Sequence, residues 1–242
     1  MNKAIIHISD LHVTDCFDVN GDSLNNFQSW FVVNKKKENE SFVNYFCDFI
    51  KKHHTDTDFY LIVSGDLSDS ASENEFKELE IILNNIVSGL EIDKQKVLIV
   101  PGDHDVNRTD GNIAYKTFKS SSPNKKLYDY NSEKFEKFSN FYNSFYDGKK
   151  HFDAERTITD FLIIEELKIL YLGLNSNFKI GAKSGLGYID SEKLNLELSE
   201  ICSKYVDYVK IVVPHHNLVT FYKKESQAQW SEDNLNDVLR IL

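Results

Sequence analysis

The run Asp58-Phe59-Tyr60-Leu61-Ile62-Val63 leads through Ser64 into Gly65-Asp66-Leu67-Ser68-Asp69. A short aromatic and β-branched run closed by glycine reads as a buried strand. The residues after it are opposite in character: a glycine that permits a sharp turn, then two aspartates. The same change occurs upstream, where Ala4-Ile5-Ile6-His7-Ile8 is followed by Asp10-Leu11-His12. It recurs downstream, where Val97-Leu98-Ile99-Val100 is closed by Pro101-Gly102 and then Asp103-His104-Asp105. Val209-Lys210-Ile211-Val212-Val213 likewise ends at Pro214-His215-His216.

Helical periods lie between these runs. Phe76, Leu79, Ile82, Leu83 and Ile86 predict an amphipathic helix over Glu73 to Val87. Phe42, Tyr45, Phe46, Phe49 and Ile50 predict another, capped by Ser41, with residues 17–40 as a long loop. Phe135, Phe138, Phe141, Tyr142 and Phe145 predict a third, its aromatic stripe used for packing. Ser191 to Lys204, with Leu194, Leu196, Leu198 and Ile201, and Ser231 to Leu242 predict two more. Phe161 to Ile164 and Lys168 to Leu172 predict further strands, and Gly181 to Gly187 a loop. Strands alternating with helices imply an α/β core, whose ligand sites form beyond the carboxyl ends of the strands. Residues 1–242 read as a single domain, with 107–152 as an insertion within it.

The 242 residues carry 28 Lys and Arg against 38 Asp and Glu, a formal charge of −10. That balance argues against a protein that coats DNA, because Lys and Arg neutralise phosphate. It leaves room for an enzyme that grips phosphate through metal ions. Cys16, Cys47 and Cys202 form no C-x-x-C and cannot all pair, which suits a reducing compartment. No run approaches the ~18 apolar residues of a membrane span. The N-terminal run Ala4 to Ile8 is too short for a signal peptide. A cytoplasmic protein without membrane segments is expected.

Asp and His bind divalent metals through carboxylate oxygen and imidazole nitrogen. Four strand ends deliver them in this chain. Alternation in Asp10-x-His12 predicts that both side chains leave one face of an extended backbone. His7, His53, His54 and His151 read as structural. Lys116, Lys119, Lys125 and Lys126, interleaved with Tyr115, Phe118 and Tyr128, read as a solvated insertion ahead of a nucleic-acid contact.

Taken in order, Asp10-Leu-His12, Gly65-Asp66-Leu-Ser-Asp69, Gly102-Asp103-His104-Asp105 and His215 resemble the calcineurin-like metallophosphoesterases. That family's pattern is D-x-H, G-D-x-x-D, G-N-H-D or G-N-H-E, a His, and G-H-x-H. The resemblance spans essentially the whole chain. It implies an α/β fold, a β-sandwich flanked by helices, with a dinuclear metal site at the strand ends. It implies that Asp10 and His12 hold the first metal, Asp66 bridges, and Asp103 and His215 hold the second. His104 would contact a phosphate oxygen or protonate the leaving group, with Asp105 orienting it and Asp69 supporting a ligand. His215 is preferred to His216 because Asn217 falls where the family carries Pro. Arg108 is either a phosphate contact or a solvated loop arginine.

Two divalent ions, Mn²⁺ first with Fe or Zn²⁺ as alternatives, would acidify a bridging water to hydroxide and clamp the phosphate. The implied reaction is hydrolysis of a phosphodiester in a nucleotide or nucleic acid, as in bacterial phosphodiesterase and nuclease-type members. Similar domains form N-terminal effectors of larger bacterial proteins. The alternatives are a phosphomonoesterase or phosphoprotein phosphatase, and a non-catalytic phosphate- or partner-binding module.

Two departures from the pattern carry expectations. Asp103 stands where the family has Asn, and its charge would cancel the last positive charge left for the phosphate. Metal binding is expected to survive while turnover falls by ~10²-fold. No G-H-x-H follows His216, and the sequence stops at Leu242 inside an expected helix. The C-terminal part of the fold is therefore expected to lie outside these residues, with further domains and oligomerisation open.

Overall fold

The structure is a computed structural model that describes residues 2–15, 29–108, 131–181, 186–218 and 230–242. The lysine-rich stretch from Tyr115 to Tyr128, Cys16 and part of the glycine loop after Gly181 lie outside the described residues.

Three strands, β1 (Asn2–Ile8), β2 (Thr57–Ser64) and β3 (Val97–Val100), form a parallel sheet in the order β1-β2-β3. Their polar sequels therefore leave the same edge. A second sheet holds β4 (Ile158–Ile164), β5 (Ile169–Leu174) and β6 (Val209–Val213). β4 pairs antiparallel with β5, and β6 lies parallel to β5.

The two-residue period of a strand divides its side chains between two cores. Tyr60, Ile62, Leu98 and Val100 face Leu162, Ile164, Tyr171 and Val213 across the sandwich. The alternate residues Phe59, Leu61, Val63, Val97 and Ile99 face helices α1 (Lys36–His53), α2 (Glu73–Gly89) and α3 (Glu136–Phe145). On the far side Leu170, Leu172 and Leu174 pack under α4 (Ser191–Lys204) and α5 (Glu232–Ile241) with Leu194, Trp230 and Val238. The result is helices, sheet, sheet, helices, the flanked sandwich that the motif order implies.

The strands and α2 fall close to their expected spans, and α2 opens with a Ser72–Glu75 capping box. The α3 stripe is packing, with Phe135, Phe138 and Phe145 fully buried. Helix α1 departs from the expectation. It begins at Lys36, with no side-chain cap, so Ser41 lies within it. Its buried face is Asn39, Val43 and Cys47, while Phe42, Tyr45 and Phe49 are exposed. The expected stripe follows aromatic size, whereas the narrow gap over α2 admits smaller groups: a Cβ on Gly89 would lie 2.7 Å from Cys47 Sγ. Leu196 of α4 is also exposed, leaving Leu194 as that helix's buried residue.

Candidate metal centre

The loops after β1 and β2 run side by side beyond the sheet edge. Asp10 N donates to the Gly65 carbonyl at 3.0 Å, His12 N to Asp66 at 2.9 Å, and Val13 N to Leu67 at 2.9 Å. This lacing needs turned backbone. Asp10, His12 and Asp66 all have positive φ, at 56°, 43° and 51°. Such angles are uncommon outside glycine, Asp and His tolerate them better than most, and strain of this kind gathers at functional sites. The expected alternation of Asp10 and His12 on an extended strand is thus corrected: β1 ends at Ile8, and the two residues sit in a turned segment.

Close approach of the β2 and β3 loops depends on two glycines. A Cβ on Gly65 would lie 2.6 Å from His215 Nδ1 and 2.7 Å from Gly102 N. A Cβ on Gly102 would overlap the backbone nitrogen and carboxylate of Asp66.

Two groups of metal-capable side chains result, each with ligand atoms within 4.8 Å of one another. One is His12, Asp66 and His104; the other is Asp66, Asp103 and His215. Asp66 belongs to both. Its Oδ2 is 3.6 Å from His12 Nε2, and its Oδ1 is 3.3 Å from His215 Nε2 and accepts from His104 N at 3.0 Å. Asp103 Oδ1 lies 3.7 Å from His215 Nε2. His215 donates Nδ1–H to the Ser64 carbonyl at 3.0 Å, which turns Nε2 toward the two carboxylates. His216 faces the other way: it is buried, bonded through Nδ1 to Ser176 Oγ at 2.8 Å and packed against Trp230.

The ionisation of the site reflects this crowding. Burial raises the Asp66 carboxyl, but its hydrogen bond to His215 and the His215 charge outweigh that and hold it at about 2. Burial lowers the His215 imidazole, yet Asp103 and Asp66 push it up to about 11. Burial likewise opposes charge on Asp103, and His215 and Arg108 draw its pKa below the usual range despite Asp66 nearby. Asp66 and Asp103 thus share the His215 imidazole between them, and Arg108 pairs with the outer oxygen of Asp103. Carboxylate and imidazole donors sharing a central carboxylate fit divalent ions of the Mn²⁺, Fe or Zn²⁺ type.

Asp10 is exposed and belongs to neither group. His104 stacks edge-on to His12 at 4.8 Å between ring centroids. Its Nδ1–H donates to the Asp69 carbonyl at 2.7 Å, so Nε2 is left for chemistry. Burial lowers its pKa, but the Asp69 carbonyl and the surrounding carboxylates raise it overall.

The expected role of Asp105 as the orienter of His104 is corrected. Asp105 is fully buried, and its carboxylate accepts from Leu67 N, Ser68 N, Ser68 Oγ and Gly102 N at 2.8–3.2 Å. It fixes the two ligand loops together, and the Asp69 carbonyl orients His104 in its place. Burial and the Asp66 charge raise the Asp105 pKa to about 6 against those donors. The Asp69 carboxylate lies 3.9 Å from both His12 Nδ1 and His104 Nδ1. Arg108 is also placed differently from a free phosphate contact: its Nη2 pairs with Asp103 Oδ2.

Several supports carry no clear signal in the sequence. Asn177 donates Nδ2–H to the Pro101 carbonyl at 2.8 Å, tying the end of β5 to the β3 loop. Lys134 is buried and donates Nζ–H to the carbonyls of Asn177, Phe178 and Ile180. Glu75 gathers Ser70 N, Ser70 Oγ and Ser72 N behind Asp69. The Ser72-x-x-Glu75 spacing is a legible sign of that last group alone.

The sequence pattern of the calcineurin-like phosphoesterases matches residues 3–241, and the chain belongs to this family. None of the curated proteins matches it. Membership makes it a metal-dependent phosphoesterase that takes a phosphate ester as substrate. Among the described residues no helix is long and apolar enough to cross a membrane.

Proposed function

We propose that this protein hydrolyses phosphodiesters of the nucleotide or nucleic-acid class with two divalent ions, Mn²⁺ being the first choice. One observation carries the reading: two metal-capable groups meet at a single buried carboxylate, Asp66. His12 and Asp66 would hold one ion, with Asp10 completing that group. Asp66, Asp103 and His215 would hold the other. Bound ions would supply Lewis acidity and a water of lowered pKa. His104, oriented by the Asp69 carbonyl and raised in pKa, would hold a proton at Nε2 and give it to a departing oxygen. Asp105 keeps the two ligand loops in register.

Charge supports the diester. Asp66, Asp69 and Asp103 bring carboxylates to the site, and among its described residues Arg108 is paired with Asp103. A diester brings one negative charge to it and a monoester up to two. Hydrolysis of bis-(p-nitrophenyl) phosphate and of p-nitrophenyl phosphate, each with Mn²⁺, tests this. The diester should turn over faster by at least ~10-fold, which is ~1.4 kcal/mol in barrier. Cleavage of the monoester alone would overturn the diester preference. Cleavage of neither with Mn²⁺, Fe²⁺ or Zn²⁺ would favour a phosphate-binding module.

A further inference from the structure

We propose that Arg108 is the resident counter-ion of Asp103, so that the pair acts at the metal centre as one neutral oxygen ligand. Arg108 is then a positioning residue and not a substrate contact. The proposal rests on the reading of Asp66, Asp103 and His215 as a metal group.

The two oxygens of Asp103 divide the work. Oδ2 takes Arg108 Nη2, while Oδ1 faces His215 Nε2 at 3.7 Å and the group with Asp66. A carboxylate with one oxygen spent on a guanidinium offers a metal one remaining oxygen and little net charge. That is the donor character of an amide carbonyl. Arg108 is also delivered from anchored backbone. Val106 is buried, and Asn107 N donates to the Lys134 carbonyl at 3.0 Å. Asp105 N closes back on the Gly102 carbonyl at 3.3 Å. The short path from Asp103 to Arg108 is thereby pinned at both ends, which holds the guanidinium over its partner. Asp103 is 17% exposed and Arg108 39% exposed, so the pair is screened only in part. A phosphate that took Nη2 from Asp103 would leave that carboxylate beside Asp66 without its counter-ion.

The test compares wild type, Arg108→Gln, Asp103→Asn, the double variant and Arg108→Lys. Mn²⁺ binding is read by calorimetry without substrate, and inorganic phosphate binding by calorimetry on the Mn²⁺-loaded protein. Removing Arg108 alone exposes one carboxylate charge. Mn²⁺ should then bind tighter by several-fold and phosphate weaker by ~10-fold, an effect of one partly screened charge. Adding Asp103→Asn to Arg108→Gln should return both affinities to within ~2-fold of wild type, and Arg108→Lys should keep most of the wild-type behaviour. An equal loss of phosphate affinity on Arg108→Gln with and without Asp103→Asn, with Mn²⁺ affinity unmoved, would mean direct phosphate contact and overturn the proposal. Absence of Mn²⁺ binding by the wild type would instead overturn the metal reading. The pairing is then read in metal-free protein by thermal unfolding of the same set: rescue of Arg108→Gln by Asp103→Asn supports it, and additive losses overturn it.

Discussion

The two sheets meet the metal centre in different ways. The β1-β2-β3 sheet sends three consecutive loops over one edge, and each carries candidate ligands: Asp10 and His12, Asp66, then Asp103 and His104. The β4-β5-β6 sheet sends one candidate ligand, His215, and otherwise polar residues that are buried: Asn175, Ser176, Asn177 and His216. The first edge bears the charge and the backbone strain. The second holds it in place through neutral hydrogen bonds, such as Asn177 to the Pro101 carbonyl. A parallel sheet places successive strand ends together without further construction. The mixed sheet delivers only β5 and β6 to that edge, since β4 runs the other way. Charge and support are thus divided mainly by sheet, with His215 the one candidate ligand from the second among the described residues.

The sharpest way to break this contrast is at Asp66, the residue common to both candidate groups. Asp66→Ala should abolish measurable Mn²⁺ binding and lower diester hydrolysis by ~10³-fold or more, about 4 kcal/mol in barrier. Circular dichroism should stay native, because the Asp105 bonds that join the two ligand loops remain. Retention of tight Mn²⁺ binding would show that the two groups do not depend on a shared carboxylate.

Gly102→Ala attacks the same edge through space instead of charge. The added methyl would overlap Asp66 itself, so the β2 and β3 loops must part. Destabilisation of ~3 kcal/mol or more is expected, with Mn²⁺ affinity lost alongside. Urea unfolding measures the first and calorimetry the second. An unchanged midpoint would show that the loops are more yielding than their packing implies.

The same division explains what the sequence reveals. Ligand types stand at four strand ends, each after an apolar run, and the order of motifs carries the sandwich with them. Strand spans are legible in β-branched runs such as Val97 to Val100, where every residue is buried. The neutral supports give no such signal. Asn175-Ser176-Asn177 is an ordinary polar triplet, and only tertiary contact with Pro101 and His216 gives it a role. Lys134 reads as a surface lysine in a polar stretch. The conformation of Asp10 and His12 is also hidden, because their positive φ arises from lacing against Gly65 and Asp66, residues distant in sequence. Helix α1 misleads for a related reason: Phe42, Tyr45 and Phe49 are its strongest periodic residues, yet α2 is met by Val43 and Cys47.

Neighbouring histidines offer a finer probe of ligand against support. His215→Ala should weaken Mn²⁺ binding by ~10²-fold, since it removes a donor nitrogen. His216→Ala should leave Mn²⁺ affinity within ~3-fold of wild type but cost ~2 kcal/mol in urea, through lost packing on Trp230 and an unpaired Ser176 hydroxyl. The opposite pattern would exchange their roles.

The last probe concerns Lys134, deep in the supporting side. Burial lowers its ammonium pKa from 10.5 to about 7, and the Glu155 charge offsets this only in part. Because the pKa falls on folding, the unfolded chain holds the extra proton between these values. Stability should therefore rise with pH from about 7 toward 10.5, by at most ~1.4 kcal/mol per pH unit. The three carbonyls that accept from Nζ favour the ammonium and work against this trend. Urea unfolding of wild type and Lys134→Met, both with chelator, at about pH 7, 8 and 9 isolates the group, since other titrations cancel in the difference. The wild-type advantage should grow with pH. A flat difference would mean that the carbonyls outweigh desolvation and Lys134 stays charged throughout. It would then be a fixed cationic clamp beneath the loop that Asn177 ties to the metal edge.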